Sequence, residues 1–258
     1  MLHDVVKPSF IIGGAPRSGT TFLCHALDKH PAVYLAKPFV PEPKVFLGQL
    51  KTKQEYVDRY ATLFANAPPG ATLGEKTTNY FESEQASVRI NQFLPGVKMI
   101  FIVREPVARA YSNFLWSTLN GIETLTFTEA IAMQGTRADP MPPEKSHARP
   151  FDYIERGDYA RFARNYYVRM GPKNVRFFLY EKLLLNPGEL LNEVQEFIGI
   201  EQLPFERLRT GVVNSARDVG PPIDRQVEAK LRLQMTEKVR DFAELTGLDI
   251  SLWNYHGV

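Results

Sequence analysis

A glycine-rich turn close to the N-terminus contains the residues whose types and spacing could do chemistry. Residues 9–21 read Ser-Phe-Ile-Ile-Gly-Gly-Ala-Pro-Arg-Ser-Gly-Thr-Thr. The apolar run 10–12 predicts a buried parallel strand, which breaks at Gly13 and Gly14. A helix-compatible stretch, 20–29, follows at once. Backbone N–H groups of such a turn, together with the positive end of the helix dipole, attract anions. The turn is therefore predicted to hold a phosphate-like group.

The same turn has the outline of a nucleotide-phosphate loop but lacks one of its residues. Gly14 to Thr21 gives G-x-x-x-x-G followed by two residues, and a Walker A loop would have lysine at position 20. Thr20 stands there, and Arg17 is the only cation of the loop. The missing lysine counts against ATP and GTP, whereas Arg17 offers a planar charged fork to an anion. A tight strand-to-helix turn in some other α/β enzyme remains an alternative.

A second candidate constellation follows the most apolar inner strand, residues 97–103. Arg104 terminates this strand, and Ser112 follows eight residues later on the ensuing helix. A strand-terminal arginine with a hydroxyl two helical turns further on can bracket a phosphate group. The alternative is an arginine paired with a neighbouring carboxylate and a serine packed on its helix. Spacing alone leaves the two interpretations open.

The elements that must position these residues alternate along the chain. Apolar runs predict further strands, and 3.6-residue periodicity predicts the helices between them. The predicted strands are 10–12, 72–74, 97–103 and 175–180, and the predicted helices are 20–29, 54–65, 83–94, 106–118, 127–133, 157–170, 187–198 and 224–246. Such alternation predicts an α/β fold, a single domain over 1–258 with a P-loop-type parallel sheet flanked by helices on both faces. Ligands of such folds bind beyond the carboxyl ends of the strands, where both constellations are expected.

Composition narrows the class of protein. The chain has 258 residues, with 44% hydrophobic and 23% charged residues, which is ordinary for a globular domain. A net charge of +2 without a basic block argues against nucleic-acid binding. The single cysteine, Cys24, excludes an internal disulfide. No signal-peptide region or membrane-length apolar run is present, so a soluble, cytoplasmic protein is expected. His25 and His30 do not form a ligand pair, and no metal is expected.

Both constellations resemble motifs of the sulfotransferase family. The stretch 16–23, Pro-Arg-Ser-Gly-Thr-Thr-Phe-Leu, resembles the family's 5′-phosphosulfate-binding loop, which would span 9–24 here. Residues 97–116 look like its 3′-phosphate-binding motif, with Arg104 and Ser112 in the matching positions. The resemblance implies that 3′-phosphoadenosine 5′-phosphosulfate (PAPS) is the donor and that the desulfated nucleotide PAP is the product. The loop residues that it implies for the donor are Arg17, Ser18, Gly19, Thr20 and Thr21.

Two further stretches are similar to the carbohydrate, heparan-type branch of that family. Residues 74–81, Gly-Glu-Lys-Thr-Thr-Asn-Tyr-Phe, match a segment whose lysine corresponds to Lys76 and lies near the transferred group. Thr78 stands where that segment has proline. Residues 42–46, Glu-Pro-Lys-Val-Phe, are similar to a segment that carries the catalytic base, which maps onto Glu42.

The C-terminal half provides the remaining donor contacts that the resemblance implies. The segment 180–183 matches a stretch whose tyrosine, here Tyr180, contacts the adenine side of the donor. Residues 214–218 fall where the family has a loop over the 3′-phosphate, with Arg217 and Ser215 as candidate contacts. A solvated linker before the last helix is the alternative for these two.

The resemblance implies a mechanism, with the acceptor left open. The sulfuryl group would move in line from PAPS to a hydroxyl or amine, Glu42 would act as general base, and Arg17 and Lys76 would stabilise the leaving group. His147, in the proline-bearing loop 135–156, is the rival base, and Lys44 is a candidate substrate contact. A small molecule, a glycan or a peptide could be the acceptor. Cations that could favour an anionic or sugar acceptor are Lys37, Lys44, Arg137, Lys145 and Arg149.

Two other classes of protein compete with a transferase of the EC 2.8.2 type. A nucleotide-dependent kinase on a P-loop fold is disfavoured by Thr20 and by the strand ending in Arg104 rather than in a magnesium-binding aspartate. A non-catalytic PAP-binding protein would bind the nucleotide without transferring any group. The joint presence of Arg17, Glu42, Lys76 and the 3′-phosphate pair favours the enzyme.

Overall fold

The computed structural model describes residues 6–48, 50, 52–211 and 220–255, apart from the side chain of Glu144. The chain forms two compact units. The first is built from Met1–Val103 and Asn165–Val213, and the second from Arg104–Arg164 and Asn214–Val258. The first unit contains every strand of the sheet described next.

The described residues form five strands, ten α-helices and four short 3₁₀ helices. The strands are β1 Phe10–Gly14, β2 Val33–Leu35, β3 Thr72–Lys76, β4 Lys98–Val103 and β5 Val175–Leu179. The helices are α1 Thr20–Leu27, α2 Lys53–Leu63, α3 Glu84–Phe93, α4 Pro106–Leu119, α5 Phe127–Ala132, α6 Tyr159–Met170, α7 Tyr180–Leu185, α8 Pro187–Ile198, α9 Phe205–Leu208 and α10 Arg225–Thr246. The helical periodicity of the sequence thus located most helices to within a few residues.

The strands form one parallel sheet in the order β2-β3-β1-β4-β5. The strand β1 is central and pairs with β3 on one side and with β4 on the other. The strand order therefore reverses beside β1, which is the topological switch point where α/β sheets bind ligands. The predicted α/β fold with a parallel sheet is confirmed, and the glycine-rich turn follows the carboxyl end of β1.

Both faces of the sheet are covered within the first unit. Alternating residues of β4 point to opposite faces, as the period of two of a strand requires. Ile100 and Ile102 pack with apolar residues of α1 and α8. On the other face the ring of Phe101 contacts Phe81 and Tyr166, each at 4.7 Å between centroids. The inner strand is thus buried on both sides, which explains its continuous apolar run.

Among the element boundaries that differ from the predictions, two move a candidate site residue. The strand β3 was expected over 72–74 but continues to Lys76, because it pairs with β1 as far as Ile12. The extension was not predicted, because Glu75 and Lys76 are charged and do not continue the apolar run of the strand. Tyr180, expected to end a strand, instead begins α7.

The second unit contains α4, α5 and α10. Pro106 occupies the first turn of α4, and the Glu105 side chain caps it by accepting from Ala108 N at 2.6 Å. The loop that was expected over 135–156 contains a 3₁₀ turn, Pro143–Ala148. In the described part of the chain, no helix combines the length and apolarity that a membrane crossing requires.

Candidate active site

The glycine-rich turn joins β1 to α1 through residues of left-handed backbone. The turn is anchored at its start, where Ala15 N donates to Ile102 O of β4 at 2.7 Å. Arg17 has φ 70°, and Gly19, directly before α1, has φ 85°. Left-handed residues interspersed in a turn before a helix are typical of loops whose backbone N–H groups face an anion. Local geometry therefore supports the predicted anion-binding turn.

Glycine is required in this turn because neighbouring atoms occupy the space of a side chain. A Cβ on Gly14 would lie 2.6 Å from Phe81 Cβ and 2.8 Å from Thr78 O. A Cβ on Gly19 would lie 2.8 Å from Leu183 and 2.9 Å from the ring of Tyr180. The ring of Tyr180 therefore packs directly on the turn. This contact supports the expectation that Tyr180 belongs to the donor site.

One buried hydroxyl of the turn could donate a hydrogen bond to a bound anion. Ser18 is completely buried, and its Oγ has no hydrogen-bond partner among the described residues. An unsatisfied buried hydroxyl costs about 1–3 kcal/mol. A phosphate or sulfate oxygen would satisfy it, and the half-buried guanidinium of Arg17 on the same turn would add charge. The residues present thus fit an anionic group.

Lys76 connects the turn-helix element to the predicted base. Its Nζ lies 2.8 Å from Glu42 Oε1 and donates to Thr21 Oγ1 at 3.3 Å. The side chains of Lys76 and Glu42 are only 9% and 16% exposed. Lys76 is the last residue of β3, and its backbone is held in the sheet by pairing with Ile12 of β1. Three residues that the sequence singled out separately, Thr21, Glu42 and Lys76, therefore meet within the first unit.

The second anchor of Glu42 is Thr78, which the sequence analysis did not single out as a contact. Thr78 N donates to Glu42 Oε2 at 3.0 Å, and Thr78 Oγ1 lies 3.1 Å from the same oxygen. The available signal was the departure from the family pattern, since proline at this position has neither an N–H nor a hydroxyl. Lys44 lies two residues after Glu42, and its backbone N donates to Thr77 Oγ1 at 3.1 Å.

The candidate 3′-phosphate residues lie in the second unit. Arg104 is half-buried, and its carbonyl accepts from the Tyr159 hydroxyl at 2.8 Å. Ser112 is buried on α4. His147, the rival base, is half-buried in the 3₁₀ turn of the same unit. Ser215 and Arg217 lie outside the described residues.

A metal site would need a cluster of ligating side chains. Among the described residues, no group of three or more His, Cys, Asp or Glu is arranged to hold a metal ion. His30 makes hydrogen bonds to the backbone instead, with Glu201 O at 2.9 Å and with Ala32 N at 3.1 Å. Its role is therefore structural.

Known proteins similar to this chain carry sulfotransferase names. The human bifunctional heparan sulfate N-deacetylase/N-sulfotransferase 3 is 29% identical over 203 residues, which cover 75% of this chain and 22% of that protein. Human heparan sulfate glucosamine 3-O-sulfotransferase 3B1 is 26% identical over 196 residues, covering 76% of this chain and 47% of the relative. The chain thus spans less than half the length of these relatives.

A solved structure and a family model agree with those relatives. The crystal structure of a sulfotransferase from Alicyclobacillus acidocaldarius superimposes with a TM-score of 0.79 at 23% identity, covering 96% of this chain and 99% of that one. This likeness confirms the fold. The family model described as "Sulfotransferase domain" matches residues 7–218. That match does not favour the kinase alternative, and it shows that the chain belongs to the sulfotransferase domain family.

Proposed function

We propose that this chain transfers the sulfuryl group of PAPS to a hydroxyl or amine of an acceptor. The observation that carries the proposal is the position of Lys76, within 2.8 Å of Glu42 and within 3.3 Å of Thr21. One ammonium group thereby joins the first turn of the anion-binding helix to a carboxylate. A transferase needs this combination, because a cation must stabilise the charge that develops on the donor while a nearby base removes the proton of the acceptor.

Bound PAPS supplies an activated sulfuryl group, and the residues of the chain prepare its surroundings. Arg17 and the buried Ser18 hydroxyl bind anionic oxygens within the turn, and the ring of Tyr180 packs against Gly19. Lys76 contributes a positive charge that burial keeps from being screened by water. In our proposal Arg104 and Ser112 recognise the 3′-phosphate.

Glu42 is the proposed general base. Its carboxylate is only 16% exposed and is oriented by Thr78 and Lys76. Such a carboxylate accepts the acceptor proton at a fixed position, which contributes typically 10²–10⁴-fold to the rate. His147 stays the competing candidate, and the two can be separated by substitution.

We propose a glycan as the first acceptor class to test, because the relatives named above are heparan sulfate enzymes. A highly anionic glycan would need cations to bind it, but most of the cations considered for this role already contact a carboxylate. Three of the five cations considered for it are each paired with a carboxylate. The pairs are Lys37 with Asp28, Arg137 with Glu123, and Arg149 with Asp152. Acceptor screening therefore includes neutral sugars as well as heparosan-type polysaccharide and a tyrosine peptide.

The donor site is tested by thermal unfolding with PAP, with ATP and magnesium, and without ligand. A ligand at 100 times its Kd stabilises the folded chain by about 2.7 kcal/mol, which raises Tm by several degrees. Stabilisation by PAP but not by ATP is the expected result. Stabilisation by ATP alone would overturn the donor assignment.

Catalysis is tested by transfer of radiolabelled sulfate from PAPS to the acceptor panel. Glu42→Gln is expected to lower kcat at least 100-fold with unchanged PAP affinity, whereas His147→Asn lowers it less than threefold. The reverse pattern would identify His147 as the base. PAP binding without transfer to any acceptor would favour the non-catalytic alternative.

A further inference from the structure

A fully buried carboxylate, Glu75, lies behind the proposed base. Glu75 precedes Lys76 on β3, so the two side chains point to opposite faces of the sheet. Three hydroxyl groups donate to its carboxylate: Tyr60 at 2.5 Å, Tyr80 at 2.6 Å and Thr77 at 2.8 Å. Burying a carboxylate is costly unless it is well hydrogen-bonded. The three hydroxyl donors therefore stabilise this acidic side chain in the interior of the fold.

Two of these hydroxyls also contact the segment that carries Glu42. Thr77 Oγ1 accepts the backbone N–H of Lys44 at 3.1 Å. The Tyr80 hydroxyl oxygen accepts the backbone N–H of Phe46, also at 3.1 Å. A hydroxyl group has a single proton but can accept as well. Since each proton is directed to Glu75, each oxygen is left to accept a backbone N–H.

The accepted N–H groups fix the backbone directly after Glu42. Lys44 has φ 52°, a left-handed conformation that is unfavourable for a lysine and needs support from its surroundings. Its hydrogen bond to Thr77 supplies such support. Phe46 is buried against the rings of Tyr56 and Tyr80. The segment thus receives two hydrogen bonds whose direction depends on one carboxylate.

We propose that Glu75 is a positioning residue, which sets the placement of Glu42 through the hydroxyls of Thr77 and Tyr80. The inference rests on the proposed function, because it concerns the position of the proposed base. Glu75 is completely buried, so in this proposal it acts through other residues and does not contact donor or acceptor. Its effect is on the rate of proton transfer, and the anion-binding turn that holds the donor is unaffected.

The first test is Glu75→Gln, which keeps the shape of the side chain but replaces an acceptor oxygen with an amide donor. Thr77 and Tyr80 donate to Oε1, so both must reverse if the amide nitrogen takes the place of that oxygen. If the nitrogen takes the place of Oε2, only Tyr60 reverses, and Thr77→Val then decides the test. We expect kcat to fall about 10- to 100-fold, with KM for PAPS and Kd for PAP changed less than threefold. Tyr56→Phe is the matched control, because this tyrosine lies in the same cluster but donates to Leu50 O. It should leave kcat unchanged.

A double-mutant cycle distinguishes positioning from a general loss of structure. In the Glu42→Gln background, measured by single-turnover transfer, Glu75→Gln should lower the rate less than twofold further. Equal losses in both backgrounds, or loss of PAP binding together with kcat, would overturn the inference. Thr77→Val, which removes the acceptor for Lys44 N, is the second variant should Glu75→Gln fail to fold, and it should show the same coupling to Glu42.

The two proposals fail in different ways. If Glu42→Gln retained full activity, the base assignment of the proposed function would be wrong. If Glu42→Gln were inactive while Glu75→Gln and Thr77→Val matched the parent protein, only the positioning role would be wrong.

Discussion

Thr78 occupies a position at which the resembled motif has proline, and it contributes two donors to the proposed base. Its backbone N and its Oγ1 both reach Glu42 Oε2. Thr78 is the first residue of a 3₁₀ turn, Thr78–Tyr80, and Thr77 before it is extended, with φ −144° and ψ 102°. A proline at position 78 would suit the first position of this turn, and an extended residue before it is what proline favours. The backbone conformation therefore does not require threonine at this position.

The first prediction follows from these two hydrogen bonds. Thr78→Val removes the hydroxyl donor and should lower kcat about 3- to 10-fold, while Thr78→Pro removes both donors and should lower it about 10- to 100-fold. These factors correspond to a net contribution of about 0.5–1.5 kcal/mol per hydrogen bond. PAP affinity, measured by calorimetry, should stay within threefold of the parent value. Equal activity of all three proteins would show that Thr78 does not orient Glu42.

Single residues could be predicted from sequence where they belong to a contiguous motif. Arg17 and Lys76 became candidates because the glycine turn and the strand-end segment each have a short pattern. Glu75 was missed, although it adjoins Lys76, because a charged residue in a sequence is normally assigned to the surface. Two of its hydroxyl donors, Thr77 and Tyr80, lie in the same matched segment 74–81, but that pattern does not show where the side chains point. The third donor, Tyr60, comes from α2, which is distant in sequence.

At the scale of elements, the loop 135–156 is more strongly fixed than its prolines and charges indicated. Arg137 makes a two-pronged contact with Glu123, at 2.9 and 2.7 Å, and the Tyr153 hydroxyl donates to Glu123 at 2.7 Å. The Gln134 side chain accepts from the backbone N of Tyr153 at 3.0 Å. One buried carboxylate thus holds both ends of this loop within the second unit.

Glu123 gives the loop a defined pH dependence. Burial raises the pKa of Glu123, but the hydrogen bonds from Arg137, Tyr153 and the Leu125 backbone outweigh it and lower the pKa to about 2. A carboxyl whose pKa is lower in the folded state stabilises the fold above its ordinary pKa of about 4.5. This contribution is lost as the pH falls from about 4.5 to about 2.

The second prediction compares urea unfolding of the parent protein and Glu123→Gln between pH 7 and pH 2. At neutral pH the variant should be less stable by about 3 kcal/mol, the lower end of the cost of removing one partner from a buried ion pair. The difference should shrink below pH 4.5, because protonation then weakens the parent protein as well. Glu237→Gln, an exposed carboxylate of the second unit, controls for net charge. A difference that is constant with pH would contradict the pairing.

At the scale of the whole molecule, the order of strands and helices was readable because each element has its own local periodicity. The sequence predicted a parallel sheet but not the order of its strands, because the pairing of β1 with both β3 and β4 depends on long-range contacts. The division into two units was not predicted. The chain crosses from one unit to the other at Arg104, where the sequence shows no linker, glycine cluster or change in composition.

Cys24 provides a reporter for the first unit as a whole, because it is the only cysteine of the chain. It is buried in the core beside α8 residues, and burial raises the pKa of its thiol to about 12. The thiolate is the reactive species. Reaction with a thiol reagent at pH 8 therefore requires that the core opens first.

The last prediction is that labelling of Cys24 follows cooperative unfolding. The logarithm of the labelling rate should rise with urea with the slope given by the equilibrium m-value, because opening is fast relative to labelling under mild conditions. Fully unfolded chains should label at one thiol each, and Cys24→Ala should not label. A rate that does not depend on urea would mean that α1 opens locally. In that case the helix that follows the anion-binding turn would be the least stable part of the first unit, and ligand binding to the turn should slow the labelling directly.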